Sequence, residues 1–195
     1  MKKIFNHFLW TLGAIVFIPM LAFAHTGVGE TTGFSSGFIH PMGGVDHLLA
    51  MVAVGLWAAQ MGGRAILVVP GTFITLMIVG ALVAILDIPA IYVEEGIIGS
   101  VLILGVLIAA AFKFSIVTSA CIVGVFALFH GYSHGTEMPL TIGMFSYSIG
   151  FASSTALLHT VGIIIGLITQ KMNIARSVRF VGGGIALVGV YLAVA

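Results

Sequence analysis

AILVVPGTFITLMIVGALVAIL, the stretch from Ala65 to Leu86, holds 22 residues without one ionisable side chain. A helix of about 20 apolar residues crosses the ~30 Å hydrocarbon core of a bilayer. The rest of the chain has the same character. Of its 195 residues, 60% are hydrophobic and 7% charged, against about 25% charged in an average globular domain. The mean hydropathy is +1.24. A soluble protein of 20.3 kDa could not hide that much apolar surface, because a folded domain also needs a polar exterior. Soluble enzymes, nucleic-acid binders and disordered tails are excluded. A net charge of +1 also offers no basic field to nucleic acid. The single cysteine, Cys121, sits in an apolar run and reads as packing, which excludes a disulfide framework and a cysteine-rich metal site.

Outward from this stretch, further apolar runs lie at 38–61, 90–112, 114–131, 140–169 and 178–195. The expected fold class is all-α, a polytopic membrane protein of six transmembrane helices. The run at 140–169 is long for one crossing, so it is expected to tilt or break, with Gly143 and Gly150 as break points. Residues 1–24 read as a signal peptide. Lys2 and Lys3 give the basic start, Phe8 to Leu21 the apolar core, and Ala22-Phe23-Ala24 the small-x-small cleavage site. An uncleaved first helix is the alternative. Cleavage leaves 25–195 as one six-helix domain, whose longest polar stretch outside the spans is 25–37.

The few charges are sorted. With the new N-terminus outside, Arg64, Lys113, Lys171, Arg176 and Arg179 all fall in cytoplasmic connections, as the positive-inside rule expects. Glu30, Asp87, Glu94, Glu95 and Glu137 fall on the outer side. The expected location is a bacterial inner membrane with a periplasmic mature N-terminus. Asp46 alone among the acids lies within a span.

Ionisable groups inside a bilayer are costly and read as functional. The run at 38–61 opens with His40-Pro41-Met42-Gly43-Gly44-Val45-Asp46-His47. In an unbroken helix His40 and His47 come within about 20° of one face. If Gly43-Gly44 interrupts the helix, backbone carbonyls join the site instead. Asp46 supplies an anionic oxygen or orients a histidine ring. A second cluster, His130-Gly131-Tyr132-Ser133-His134-Gly135-Thr136-Glu137, closes the run at 114–131. Its H-x-x-x-H spacing lets two histidines on one helix hold one metal, and Glu137 shares their face if the helix continues toward Pro139. The metalloprotease form is ruled out, because Gly131 stands where that motif needs glutamate. The alternatives are a lone buried histidine held by a carbonyl and an interfacial polar loop.

Both clusters fall at the outer face. Imidazole with carboxylate suits Ni²⁺, Co²⁺, Zn²⁺ or Fe²⁺, and not an oxygen-only Mg²⁺ or Ca²⁺ cage. Glu94 and Glu95 add charge to that vestibule. His159, deep in the run at 140–169, reads as an inner relay, a gate or a helix-packing hydrogen bond. His25 becomes the first residue after cleavage, where its α-amine and imidazole can chelate together, or it is there by chance. Met51 is a thioether on the path or a packing residue, and Gly162 and Gly166 make a G-x-x-x-G helix contact. Metal affinity should fall below about pH 6, since imidazole binds when neutral and its ordinary pKa is ~6.5. Gly33-Phe34-Ser35-Ser36-Gly37 matches G-x-S-x-G, but no sheet exists to build a nucleophile elbow. No phosphate-binding Walker loop occurs.

These residues resemble the HupE/UreJ family of nickel-related membrane proteins. The carriers are AHTG at Ala24 to Gly27, GFIHPMGGVDHLLAM at Gly37 to Met51, VGLWAA, GGRA, FALFHGYSHGTE at Phe126 to Glu137 and GFASSTALLHTVGIIIG at Gly150 to Gly166. The first histidine block is also similar to the H-x-x-x-x-D-H element of a separate nickel/cobalt transporter family, with one more spacer residue here. The resemblance implies a six-span protein with a secretory signal that moves Ni²⁺ for hydrogenase or urease maturation, with Co²⁺ as the other ion. It implies no prosthetic group and no catalysis. Expected partners are the metal ion, the bilayer, and either a second copy or metalloenzyme maturation proteins. A metal-holding accessory protein and an intramembrane metallohydrolase are the rival classes.

Overall fold

The computed structural model describes residues 33–138 and 143–195, so the leader expected at 1–24, His25 and Glu30 lie outside the described residues. Within them the chain is all helix: α1 (Gly33–Gly43), α2 (Val45–Met61), α3 (Ala65–Ile85), α4 (Val93–Ala110), α5 (Ile116–Glu137), α6 (Met144–Lys171) and α7 (Arg176–Val194). Five of these, α3 to α7, are long and apolar enough to cross a membrane. Helices α1 and α2 pass the same test together, but the pair bends by 85° at its break. Gly44 makes that break by standing in extended conformation between them. The run at 38–61 is therefore interrupted, and it begins earlier than its hydropathy suggested, because Gly33–Gly37 already belongs to α1.

The run at 140–169, expected to tilt or break, is unbroken from Met144 to Lys171. Helix α6 is continuous over 28 residues, and Gly143 caps its start with φ 82, a left-handed conformation that glycine adopts without strain. Gly150 serves contact instead, since a Cβ there would strike the Phe34 carbonyl of α1. Close approach of this kind organises the bundle. Helices α3 and α5, α4 and α7, α2 and α6, and α1 and α6 form the main pairs. Gly131 of α5 lies on the Met77 carbonyl of α3. Gly55 of α2 lies on the His159 carbonyl of α6, while Gly162 and Gly166 meet the Val52 carbonyl and the Ala59 side chain. Small residues let helix backbones touch, and packing and hydrogen bonds replace the hydrophobic drive that lipid removes.

The exterior is apolar, and polar groups are buried within the apolar core. His130, His134, Ser154, Thr155 and His159 are buried, while Leu67, Phe145 and Leu187 are each more than 70% exposed. An apolar exterior with the polar side chains turned inward suits a lipid-facing bundle, and the protein is a multi-pass membrane protein. Cys121 faces outward with the apolar exterior and does not pack in the core. The charges divide by end. Ser119 donates to Met61, Gln170 to the Ala59 carbonyl, Trp57 to the Phe112 carbonyl, and Arg179 to the Ala109 carbonyl. These bonds gather the connections bearing Arg64, Lys113, Lys171, Arg176 and Arg179 at one end. At the other end His40 reaches Glu137, and Tyr132 of α5 ties down the loop that follows Asp87.

Candidate metal centre

The 85° bend between α1 and α2 turns the first histidine block toward the second. Helix α1 ends at Gly43 and α5 at Glu137, and the His40–Glu137 bond joins their last turns. A helix C-terminus carries partial negative charge from carbonyls without intrahelical partners, so two such ends attract a cation. Helix α2 begins there too, and the Asp46 carboxylate in its first turn offsets its positive end.

Asp46 folds back on its neighbour. Its Oδ1 accepts from the His47 backbone N–H at 2.8 Å and from His47 Nδ1 at 2.8 Å. A Cβ at Gly44 would stand 2.6 Å from that same oxygen, so the glycine that breaks the helix also leaves room for the carboxylate. Because the carboxylate accepts, the His47 ring carries its proton on Nδ1 and its lone pair on Nε2, which is buried without a partner. His130 repeats the pattern. Its Nδ1 donates to the Phe126 carbonyl at 2.9 Å, and its Nε2 is buried and unpartnered.

The rings touch in sequence. His40 and His134 stand 4.9 Å apart between centroids, His134 and His47 4.5 Å, and His47 and His130 4.9 Å. Glu137 closes the surface end, with Oε2 at 2.7 Å from His40 Nε2 and 3.9 Å from His134 Nδ1. Side-chain exposure is 52% at Glu137, 35% at His40 and 30% at Asp46, against 12% at His47 and 4% at His134. His40, His134 and Glu137 each offer one ligand atom, and these atoms lie within 4.8 Å of one another. Two ligands at ~2.1 Å from one metal are separated by at most about 4.2 Å, so this trio would need to close by a few tenths of an ångström.

The six residues of the two blocks thus gather into one array with two parts: His40, His134 and Glu137 at the end that Glu137 opens to the surface, and Asp46, His47 and His130 beside them. The H-x-x-x-H pair is divided between the two parts, and both of its rings are buried. Glu94 and Glu95 do not join the array. They are exposed in the first turn of α4, where the helix dipole favours acids. His159 lies deeper, with Nδ1 donating to the Met51 carbonyl at 2.7 Å. Met51 itself is wholly buried and contributes its backbone there.

Three contributors escaped the sequence reading. Tyr147 and Phe151 of α6 wall the surface trio, with the Phe151 ring 4.0 Å from that of His134 and the Tyr147 hydroxyl buried without a partner. Phe73 of α3 touches both His130 and His159. Tyr147 and Phe151 share a helical face by their i,i+4 spacing, a signal too common in apolar helices to single them out. Phe73 stands in a span that has no polar landmark.

No solved structure matches the chain. The sequence model for HupE / UreJ protein matches residues 13–192. Protein HupE of Rhizobium leguminosarum bv. viciae is 40% identical over 186 residues, covering 94% of this chain and 95% of the relative. With the family model matched over residues 13–192 and a 40% identical relative covered over nearly its whole length, the chain belongs to the HupE/UreJ family.

Proposed function

We propose that the protein is a nickel permease of the bacterial inner membrane, with cobalt as the competing ion. It takes the divalent ion at the periplasmic face and delivers it to the cytoplasm for hydrogenase or urease maturation. The carrying observation is the set of buried imidazoles. His47 and His130 each have Nδ1 held by an oxygen acceptor and Nε2 unpartnered. A buried lone pair without a donor is costly in a finished core, and it suits a site that a metal visits. His40, His134 and Glu137 would receive the ion at the surface, and Asp46, His47 and His130 would take it inward, with Asp46 balancing charge.

Nitrogen with carboxylate favours a late first-row divalent metal, and family membership supports nickel among these. In this proposal α1 and α2 together make one broken span, which brings the crossings to six after a cleaved leader. Periplasmic His25, Glu94 and Glu95 would then add weaker attraction for the ion. The protein is a carrier with no catalytic role, and no prosthetic group is required.

Radiolabelled Ni²⁺ uptake by cells expressing His47→Ala tests the assignment. Loss of uptake with normal membrane abundance is expected, and wild-type uptake would overturn it. Purified protein in liposomes separates transport from holding, because binding without flux would make the chain a metal-holding accessory protein. Excess Co²⁺ in the same assay ranks the two ions.

A further inference from the structure

Phe73 enters the histidine array from α3, a helix with no ionisable residue. Its ring is wholly buried. It meets His130 edge-on at 5.5 Å and His159 edge-on at 5.1 Å between centroids. The two histidines are alike. His130 donates from Nδ1 to the Phe126 carbonyl, His159 donates to the Met51 carbonyl, and each keeps a buried, unpartnered Nε2. A carbonyl only accepts, so both rings hold their lone pair on Nε2. Two metal-type donors therefore flank an aromatic ring that has no lone pair to offer.

The surroundings of His159 differ from those of the outer array. Thr155, one turn earlier on α6, is buried and donates to the Met77 thioether at 3.7 Å. Met77 lies one turn after Phe73 on α3, so the two helices meet through the pairs Phe73–His159 and Met77–Thr155. The Ser154 hydroxyl is buried nearby in sequence and has no partner. Among the described residues, no carboxylate is in contact with His159. A dication there would be held by neutral donors alone, more weakly than beside Asp46 or Glu137. Conduction needs such a site, tight enough to enter and weak enough to leave.

Resting on the permease function above, we propose that Phe73 is the gate between an outer metal station and an inner one at His159. The ion waits on the outer donors until the Phe73 ring turns aside. It then passes to His159 Nε2 and the neighbouring hydroxyl and thioether donors, and leaves toward the basic end of the bundle.

The test uses full-length protein in liposomes with a trapped Ni²⁺-sensitive chelating dye, together with equilibrium Ni²⁺ binding in detergent. Phe73→Ala is expected to raise the initial entry rate about tenfold, a barrier change of ~1.4 kcal/mol. Phe73→Leu, which keeps apolar volume and guards against misfolding, should give a smaller rise, and Phe73→Trp a fall. Adding His159→Gln to Phe73→Leu should abolish the gain, because the opened gate then leads to no inner ligand. Wild-type rates in the Phe73 variants would overturn the gate, as would a gain that survives His159→Gln. If wild-type protein carries no Ni²⁺, the permease assignment falls and takes the gate with it. If wild type transports and His134→Ala loses capture while the Phe73 variants behave as wild type, the gate alone falls.

Discussion

His47 has two ring nitrogens and one fixed proton. The bond from Nδ1 to Asp46 at 2.8 Å decides which nitrogen keeps the lone pair, and therefore which can ligate. Asp46 also accepts the His47 backbone N–H, so it positions both the ring and the first turn of α2. Removing the carboxylate frees the ring to rotate and to exchange tautomers. Asp46→Ala is expected to weaken Ni²⁺ binding by about 10- to 100-fold, the usual cost of losing a group that orients a metal-bound histidine. Asp46→Asn keeps an oxygen that can accept from Nδ1 and loses the charge, so its effect should be smaller. Calorimetric titration of the purified variants measures both, and unchanged affinity in Asp46→Ala would remove its positioning role. These residues were legible in the sequence because ionisable groups stand out in an apolar chain. Their division into a trio around Glu137 and a set around Asp46 was not legible. It depends on the bend at Gly44, which changes where His40 points relative to His47. Phe73 gave no signal, since one more aromatic in an uncharged span looks like packing.

At the scale of the element, glycine sets how near the helices come. Gly55 of α2 lies against the His159 carbonyl of α6, one turn from the Met51 carbonyl that holds His159. A larger side chain at Gly55 must push α2 and α6 apart, which lengthens the His159–Met51 bond and opens the core. Gly55→Val should destabilise the bundle by about 1–3 kcal/mol or more, the range for overpacking a tight core. Gly99, which has open space around it, is the control, and Gly99→Ala should leave the bundle unchanged. Thermal unfolding in detergent compares the two, and equal midpoints would refute the close-packing argument. The spans themselves were readable because the ~30 Å hydrocarbon thickness imposes a length that hydropathy reports directly. Helix ends were less readable. Helix α5 runs past its apolar run to Glu137, and His134, one of the polar residues that end the hydropathy signal, is buried against His40 of α1 and Phe151 of α6. Helix α6 stays whole because Gly150 faces α1 as a packing surface, a use that composition does not distinguish from a break.

For the whole molecule, the sorted charges define direction. Arg64, Lys113, Lys171, Arg176 and Arg179 share one end, and the His40–Glu137 pair marks the other. Cytoplasmic connections collect lysine and arginine during insertion, whereas acids have little influence on orientation. The acidic end therefore needs a different cause, and attraction of a cation to the mouth of the array supplies one. Both conditions are met only if the basic end is cytoplasmic and the acidic end periplasmic. Single cysteines test this in a Cys121→Ser background. Ile91→Cys occupies the exposed loop before α4 at the acidic end, and Lys113→Cys the connection between α4 and α5 at the basic end. A membrane-impermeant maleimide should label Ile91→Cys in cells whose outer membrane has been permeabilised, and Lys113→Cys only after the inner membrane is opened. The reverse pattern would place the histidine mouth in the cytoplasm. On the proposed function, capture would then face the compartment to which the ion is to be delivered, and the array would have to be read as an exit.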